Sequence, residues 1–103
     1  MKIEWKKDNN IYLGKVSGEL SFDKEEYFLR EVYERVKESG KEAVFILDFS
    51  GLEFINSSGI TVFENVYRFI KAQGAQIRFI NLPPKIKEIF FFLNVPFKEA
   101  IEV

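Results

Sequence analysis

Ala43-Val44-Phe45-Ile46-Leu47-Asp48-Phe49-Ser50-Gly51-Leu52-Glu53-Phe54-Ile55-Asn56-Ser57-Ser58-Gly59-Ile60 is the stretch that decides the fold. Its first seven residues form an apolar run of strand length without polar alternation, the pattern of a central strand covered on both faces. Ser50-Gly51 and Glu53 read as a loop carrying Phe54-Ile55. Asn56-Ser57-Ser58-Gly59 then opens a helix: Asn and Ser are favoured N-cap residues, and Ile60, Phe63, Val66, Tyr67 and Ile70 repeat at helical spacing as far as Gly74.

Working outward gives the remaining elements. Upstream, Ile3–Lys7 and Ile11–Val16 alternate roughly around Asp8-Asn9-Asn10, a hairpin signal, with Gly18 ending the second run. Trp5 and Tyr12 are placed to pair across it. Asp23 with Glu26 reads as a capping box, and Phe28, Leu29, Val32, Tyr33 and Val36 form the apolar stripe of a first helix closed by Ser39-Gly40. The acid-early, base-late charges on that helix, Glu25 among them, read as a solvated face. Downstream, residues 76–81 form a short strand. Pro83-Pro84 opens a third helix with Ile86, Ile89, Phe90 and Leu93 as its stripe, and the tail from Phe97 to Val103 supplies a possible last strand. Phe91, Phe92, Val62 and Phe69 lie off the stripes, as a widened core or as an exposed patch. The order β-β-α-β-α-β-α-(β) predicts one α/β domain over residues 1–103, with a mixed sheet of four to five strands, an opening hairpin and three or more helices.

Composition narrows the function. The chain has 103 residues, 47% of them hydrophobic, with net charge −1 from 15 basic and 16 acidic side chains. No basic block supports nucleic-acid binding, and no apolar run approaches the roughly 20 residues of a membrane span. Cytoplasmic location is the expectation. Cysteine and histidine are both absent. Thiol chemistry, Ser-His-Asp triads and ordinary His-containing zinc sites therefore cannot be built, and neither a metal nor a cofactor is expected. Asp48, with no histidine beside it, reads as a loop cap.

The chemically informative segment is Asn56-Ser57-Ser58-Gly59. The first N–H groups of a helix lack internal partners and carry partial positive charge, so a phosphate formed there would be stabilised. Such a group alters any docking surface that touches it. On local sequence alone, simple capping remains open beside the switch reading.

Leu47 to Ile60 resembles the signature of STAS domains in bacterial anti-sigma-factor antagonists: an apolar strand, a short loop, then Asp-Ser-Ser/Thr-Gly-Leu-Gly. Gly18-Glu19-Leu20 is similar to the family's Gly-x-Leu before its first helix, Gly74 to its Gly before the fourth strand, and residues 84–90 to its late Pro-x-Val-x-x-Leu-Phe helix. The resemblance covers nearly the whole chain. It implies a non-enzymatic partner switch that binds an anti-sigma factor, itself a GHKL-type serine kinase. That kinase phosphorylates the first serine of the motif, and a serine phosphatase reverses the modification. Ser57 is the matching position and Ser58 the second choice. Asn56, Ser57, Ser58, Gly59, Ile60, Ser21, Val62 and Phe63 are the expected partner-binding residues, on a monomer or weak homodimer. Asn56 and Ser21 stand where the family carries acids, so an unphosphorylated scaffold subunit of a signalling or transport assembly is the alternative. A small-ligand or nucleotide sensor with a pocket among the phenylalanines is the third reading.

Overall fold

The computed structural model describes residues 1–102. It contains four strands, β1 (Lys2–Asp8), β2 (Ile11–Leu20), β3 (Val44–Ile55) and β4 (Gln76–Ile80). Three helices accompany them, α1 (Glu25–Glu38), α2 (Ser57–Ala72) and α3 (Pro84–Leu93), with short 3-10 turns at Phe22–Lys24 and Lys98–Ala100. The strands lie in the order β1-β2-β3-β4. β1 and β2 form the antiparallel hairpin, and β2, β3 and β4 run parallel. Asn9 makes the hairpin turn in the left-handed region, φ 55°, a conformation Asn tolerates.

The sheet is covered on one face rather than two. Along β3, Phe45, Leu47 and Phe49 are buried while Val44, Ile46 and Asp48 are half-covered. The cause is topological. Parallel crossovers are right-handed, and the strand order advances without reversal from β2 through β4, so α1 and α2 fall on the same side. The apolar character of Ala43–Phe49 does not encode that choice. β2 and β3 also run further than the sequence suggests, taking in Gly18 and Ser50–Ile55. Their register slips between Lys15 and Ser17 and between Gly18 and Glu19, with Gly18 at φ 96°. Such bulges bend a strand pair, and the extended pair Leu20↔Ile55 ends directly at the start of α2.

The core is built on aromatic rings. Phe63 of α2 lies 4.7 Å from Phe49, 5.1 Å from Phe79, 5.1 Å from Phe90 and 5.6 Å from Phe97, centroid to centroid. These rings fill the interior against one another, the opposite of a phenylalanine-lined ligand pocket. Val62 is buried as well, so it widens the α2 core face; Phe69 stacks obliquely on Tyr33 at 4.3 Å.

Several local expectations are corrected. Asp23 does not cap α1. It sits in the preceding 3-10 turn, and Lys24 at the N-cap makes no side-chain capping bond. Trp5 does not pair with Tyr12: register sets Trp5 opposite Gly14, where Arg35 lies over the indole at 5.3 Å and Trp5 Nε1 donates to Glu31 at 3.3 Å. Tyr12 instead stacks on Phe45 at 4.8 Å. On α3 only Phe90 is buried; Ile89 and Leu93 are half-exposed and Phe92 is 87% exposed. The tail forms a 3-10 turn and a single bridge from Ile101 to Phe79 instead of a fifth strand; Val103 lies outside the described residues.

Candidate functional site

The motif sits where the β2/β3 extension meets α2. Asn56 holds extended backbone (φ −96°, ψ 179°) and its Oδ1 accepts the Gly59 N–H at 3.2 Å, satisfying one of the helix's orphan donors. Ser57 is therefore the first helical residue. Its side chain is exposed, and the first turn of α2 holds no acidic residue. Ser58 is half-buried and turned inward. Its Oγ lies 2.8 Å from Asn56 Oδ1 and is hydrogen-bonded to Glu25 Oε2, the first residue of α1. Gly59 is buried because the helix start presses on the sheet. A Cβ there would stand 2.9 Å from Ile55 Cδ1 and 3.3 Å from the Leu20 carbonyl oxygen, both tighter than ordinary packing allows.

Beside Ser57 opens a groove of about 230 Å³ lined by Ile55, Asn56, Ser57, Ile60, Ile86, Ile89 and Phe90. The exposed hydroxyl thus stands at the rim of an apolar depression between α2 and α3. Asp48, at the far side of β3, accepts from the Ser50 N–H at 2.9 Å and from Asn81 Nδ2 at 3.1 Å. Partial burial works against its charge, but these bonds and Lys15 outweigh it and hold the carboxyl below its ordinary range. It caps the loop.

Of the expected partner-binding residues, Asn56, Ser57, Ser58 and Ile60 come together around the helix start. Ser21 follows Leu20 into the same corner, but its hydroxyl donates to Asp23 Oδ1 at 3.0 Å, a bond that lowers the Asp23 pKa. Val62 and Phe63 are 2% and 1% exposed, and with buried Gly59 they offer a partner no surface; they hold the helix in place. Two contributions were not evident from sequence. Glu25, read as a solvated charge, reaches across to α2. Ile86 and Ile89, read as core, line the groove. Tertiary packing alone brings either beside the motif, although Glu25's place in the first turn after Gly18-Glu19-Leu20 was a usable hint.

Among the described residues no helix is long and apolar enough to cross a membrane, and no cluster of His, Cys, Asp or Glu could hold a metal ion.

A parallel sheet extended by an antiparallel hairpin, helices on one face, and an exposed serine opening the second crossover helix define a small α/β domain. The chain belongs to the STAS domain family, whose model matches residues 2–102. No curated protein matches its sequence. Among solved structures it is similar to the unphosphorylated form of the anti-sigma factor antagonist SpoIIAA, with TM-score 0.77 and 17% identity, covering 98% of this chain and 86% of that one. SpoIIAA, a Bacillus cell fate determinant, is matched in its phosphorylated form too, at TM-score 0.74 and 16% identity over 98% of this chain and 89% of that one. An anti-sigma factor antagonist from Mycobacterium paratuberculosis matches at TM-score 0.80 and 14% identity, over 97% of this chain and 83% of that one. The murine anion transporter Slc26a9 matches at TM-score 0.78 and 19% identity, over 93% of this chain but only 16% of the transporter.

Proposed function

We propose that this protein is a cytoplasmic anti-sigma-factor antagonist, docking through the start of α2 onto an anti-sigma factor that is also a GHKL-type serine kinase. Phosphorylation of Ser57 then releases it, and a serine phosphatase resets it. The observation that carries this reading is the exposed Ser57 side chain at the first position of α2, beside the apolar groove of Ile55, Ile60, Ile86, Ile89 and Phe90. A partner seated in that groove would cover the hydroxyl. In the transfer, Ser57 Oγ bonds to the γ-phosphorus of ATP, the bond to the β-phosphate oxygen breaks, ADP leaves, and the hydroxyl proton passes to a base of the kinase. The product carries about −1.5 to −2 charge at neutral pH. The unpaired N–H groups of the first α2 turn would hold it, while the same charge placed against a partner's apolar surface would be costly to desolvate. The chain is the substrate and needs no cofactor of its own.

The test is intact-mass analysis and site mapping after incubation with ATP, magnesium and extract of the source cells. A gain of about 80 Da mapped to Ser57, with Ser57→Asp abolishing binding to the co-purifying partner, is the expected result. Full partner binding by Ser57→Asp refutes the charge switch. One observation favours a second reading, the unphosphorylated scaffold subunit: Asn56, standing where the family carries an acid, is committed to capping Gly59. No phosphate uptake with a partner still bound would select it.

A further inference from the structure

The motif holds two adjacent hydroxyls, and the structure treats them differently. Ser57 faces solvent. Ser58 is drawn towards α1, its Oγ in contact with Glu25 Oε2 and Asn56 Oδ1. A serine hydroxyl has one proton to give. Asn56 Oδ1 accepts the Gly59 N–H and, as an amide oxygen with a second lone pair and no proton, can only accept from Ser58 as well. The Ser58 proton is therefore directed at two acceptors, one of them a carboxylate, and bonds to ionised acceptors are the strong ones. Glu25 opens α1, and its bridge to Ser58 spans 33 positions of sequence.

The geometry points to Glu25 as the specificity-determining residue of the motif: by engaging the Ser58 hydroxyl it withdraws that serine from group transfer and leaves Ser57 as the acceptor. This rests on the proposed phosphorylation. For Ser58 to attack a nucleotide phosphorus held by another protein, its oxygen would have to leave the α1/α2 corner and surrender its bond to Glu25. Ser57 has no such bond to break among the described residues. Glu25 is a positioning residue here, since it acts only through Ser58.

The experiment has two arms. In the first, wild type, Glu25→Ala and Glu25→Gln are phosphorylated with ATP and the cognate kinase fraction, and the ratio of phosphate on Ser58 to that on Ser57 is read by site mapping. Glu25→Ala should raise that ratio about tenfold or more, the scale of one lost hydrogen bond to a charged group. Glu25→Gln, whose amide oxygen still accepts but carries no charge, should fall between wild type and Glu25→Ala. A general loosening of the fold would not reproduce that alanine–glutamine difference. An unchanged ratio in Glu25→Ala overturns the assignment. The second arm needs no kinase: NMR of the full chain follows exchange of the serine hydroxyl protons with water. The Ser58 proton should exchange more slowly than that of Ser57 in wild type and faster in Glu25→Ala, where only the Asn56 bond remains, with Ser57 fast in both. Ser58 exchanging as fast as Ser57 in wild type overturns the assignment. If neither serine of wild type takes phosphate, the proposed function fails, whereas slower Ser58 exchange that speeds up in Glu25→Ala would still establish that Glu25 holds the hydroxyl.

Discussion

Gly59→Ala tests how tightly the start of α2 is fitted to the sheet. The added methyl would lie 2.9 Å from Ile55 Cδ1 and 3.3 Å from the Leu20 carbonyl oxygen, and it crowds Ile55 Cγ1 as well. Overpacking of this kind costs about 1–3 kcal/mol. Replacing Gly by Ala inside a helix returns at most about 1 kcal/mol, and less in the first turn. The net effect is a loss on the order of 1–2 kcal/mol. For a domain of this size that lowers Tm by roughly 4–8 °C per kcal/mol. The assay is urea or thermal unfolding of four proteins: wild type, Gly59→Ala, Ile55→Ala and the double variant. Removing the Ile55 side chain relieves two of the three close contacts, so the double variant should be more stable than the sum of the singles by about 1 kcal/mol. The contact with the Leu20 carbonyl persists, so the rescue is partial. Strict additivity, or a Gly59→Ala protein as stable as wild type, would refute the close approach between the helix and the β2/β3 extension.

Phe63→Ala removes the ring that touches Phe49, Phe79, Phe90 and Phe97 and should cost about 3–5 kcal/mol in urea titration; a loss under about 1 kcal/mol would mean that the cluster is not the core. Phe92→Ser, at a position 87% exposed, should change stability by less than about 0.5 kcal/mol, and a large drop in Tm would contradict the exposed placement of α3's outer face. The Asp48 carboxyl is held below its ordinary range, so its charge stabilises the fold above its unfolded pKa of about 3.9, and the contribution is lost as pH falls through the depressed folded value. Asp48→Asn should accordingly be less stable than wild type at neutral pH, and the gap should close in strong acid; a gap constant with pH would refute the assignment.

Much of this molecule is written along the chain. Asn9 in the hairpin turn, Asn56 as the cap of α2, Pro83-Pro84 at the start of α3 and the order of strands and helices are local matters, fixed by side chains acting on their own backbone. The STAS resemblance was legible for the same reason: its motif is contiguous from Leu47 to Ile60. Asp23 was a misleading signal, because Ser21 binds its carboxylate and a 3-10 turn intervenes before α1.

Sequence by itself determined the identity of the elements, the position of the exposed serine at the head of α2 and the absence of His and Cys chemistry. Tertiary structure alone decided which side of the sheet the helices cover, that Ile86 and Ile89 line a groove instead of filling the core, and that Glu25 meets Ser58. Periodicity reports only that a face is apolar, not what will cover it. The handedness of two successive crossovers, and the bulged extension of β2 and β3 that brings α1 to the start of α2, are properties of the assembled chain.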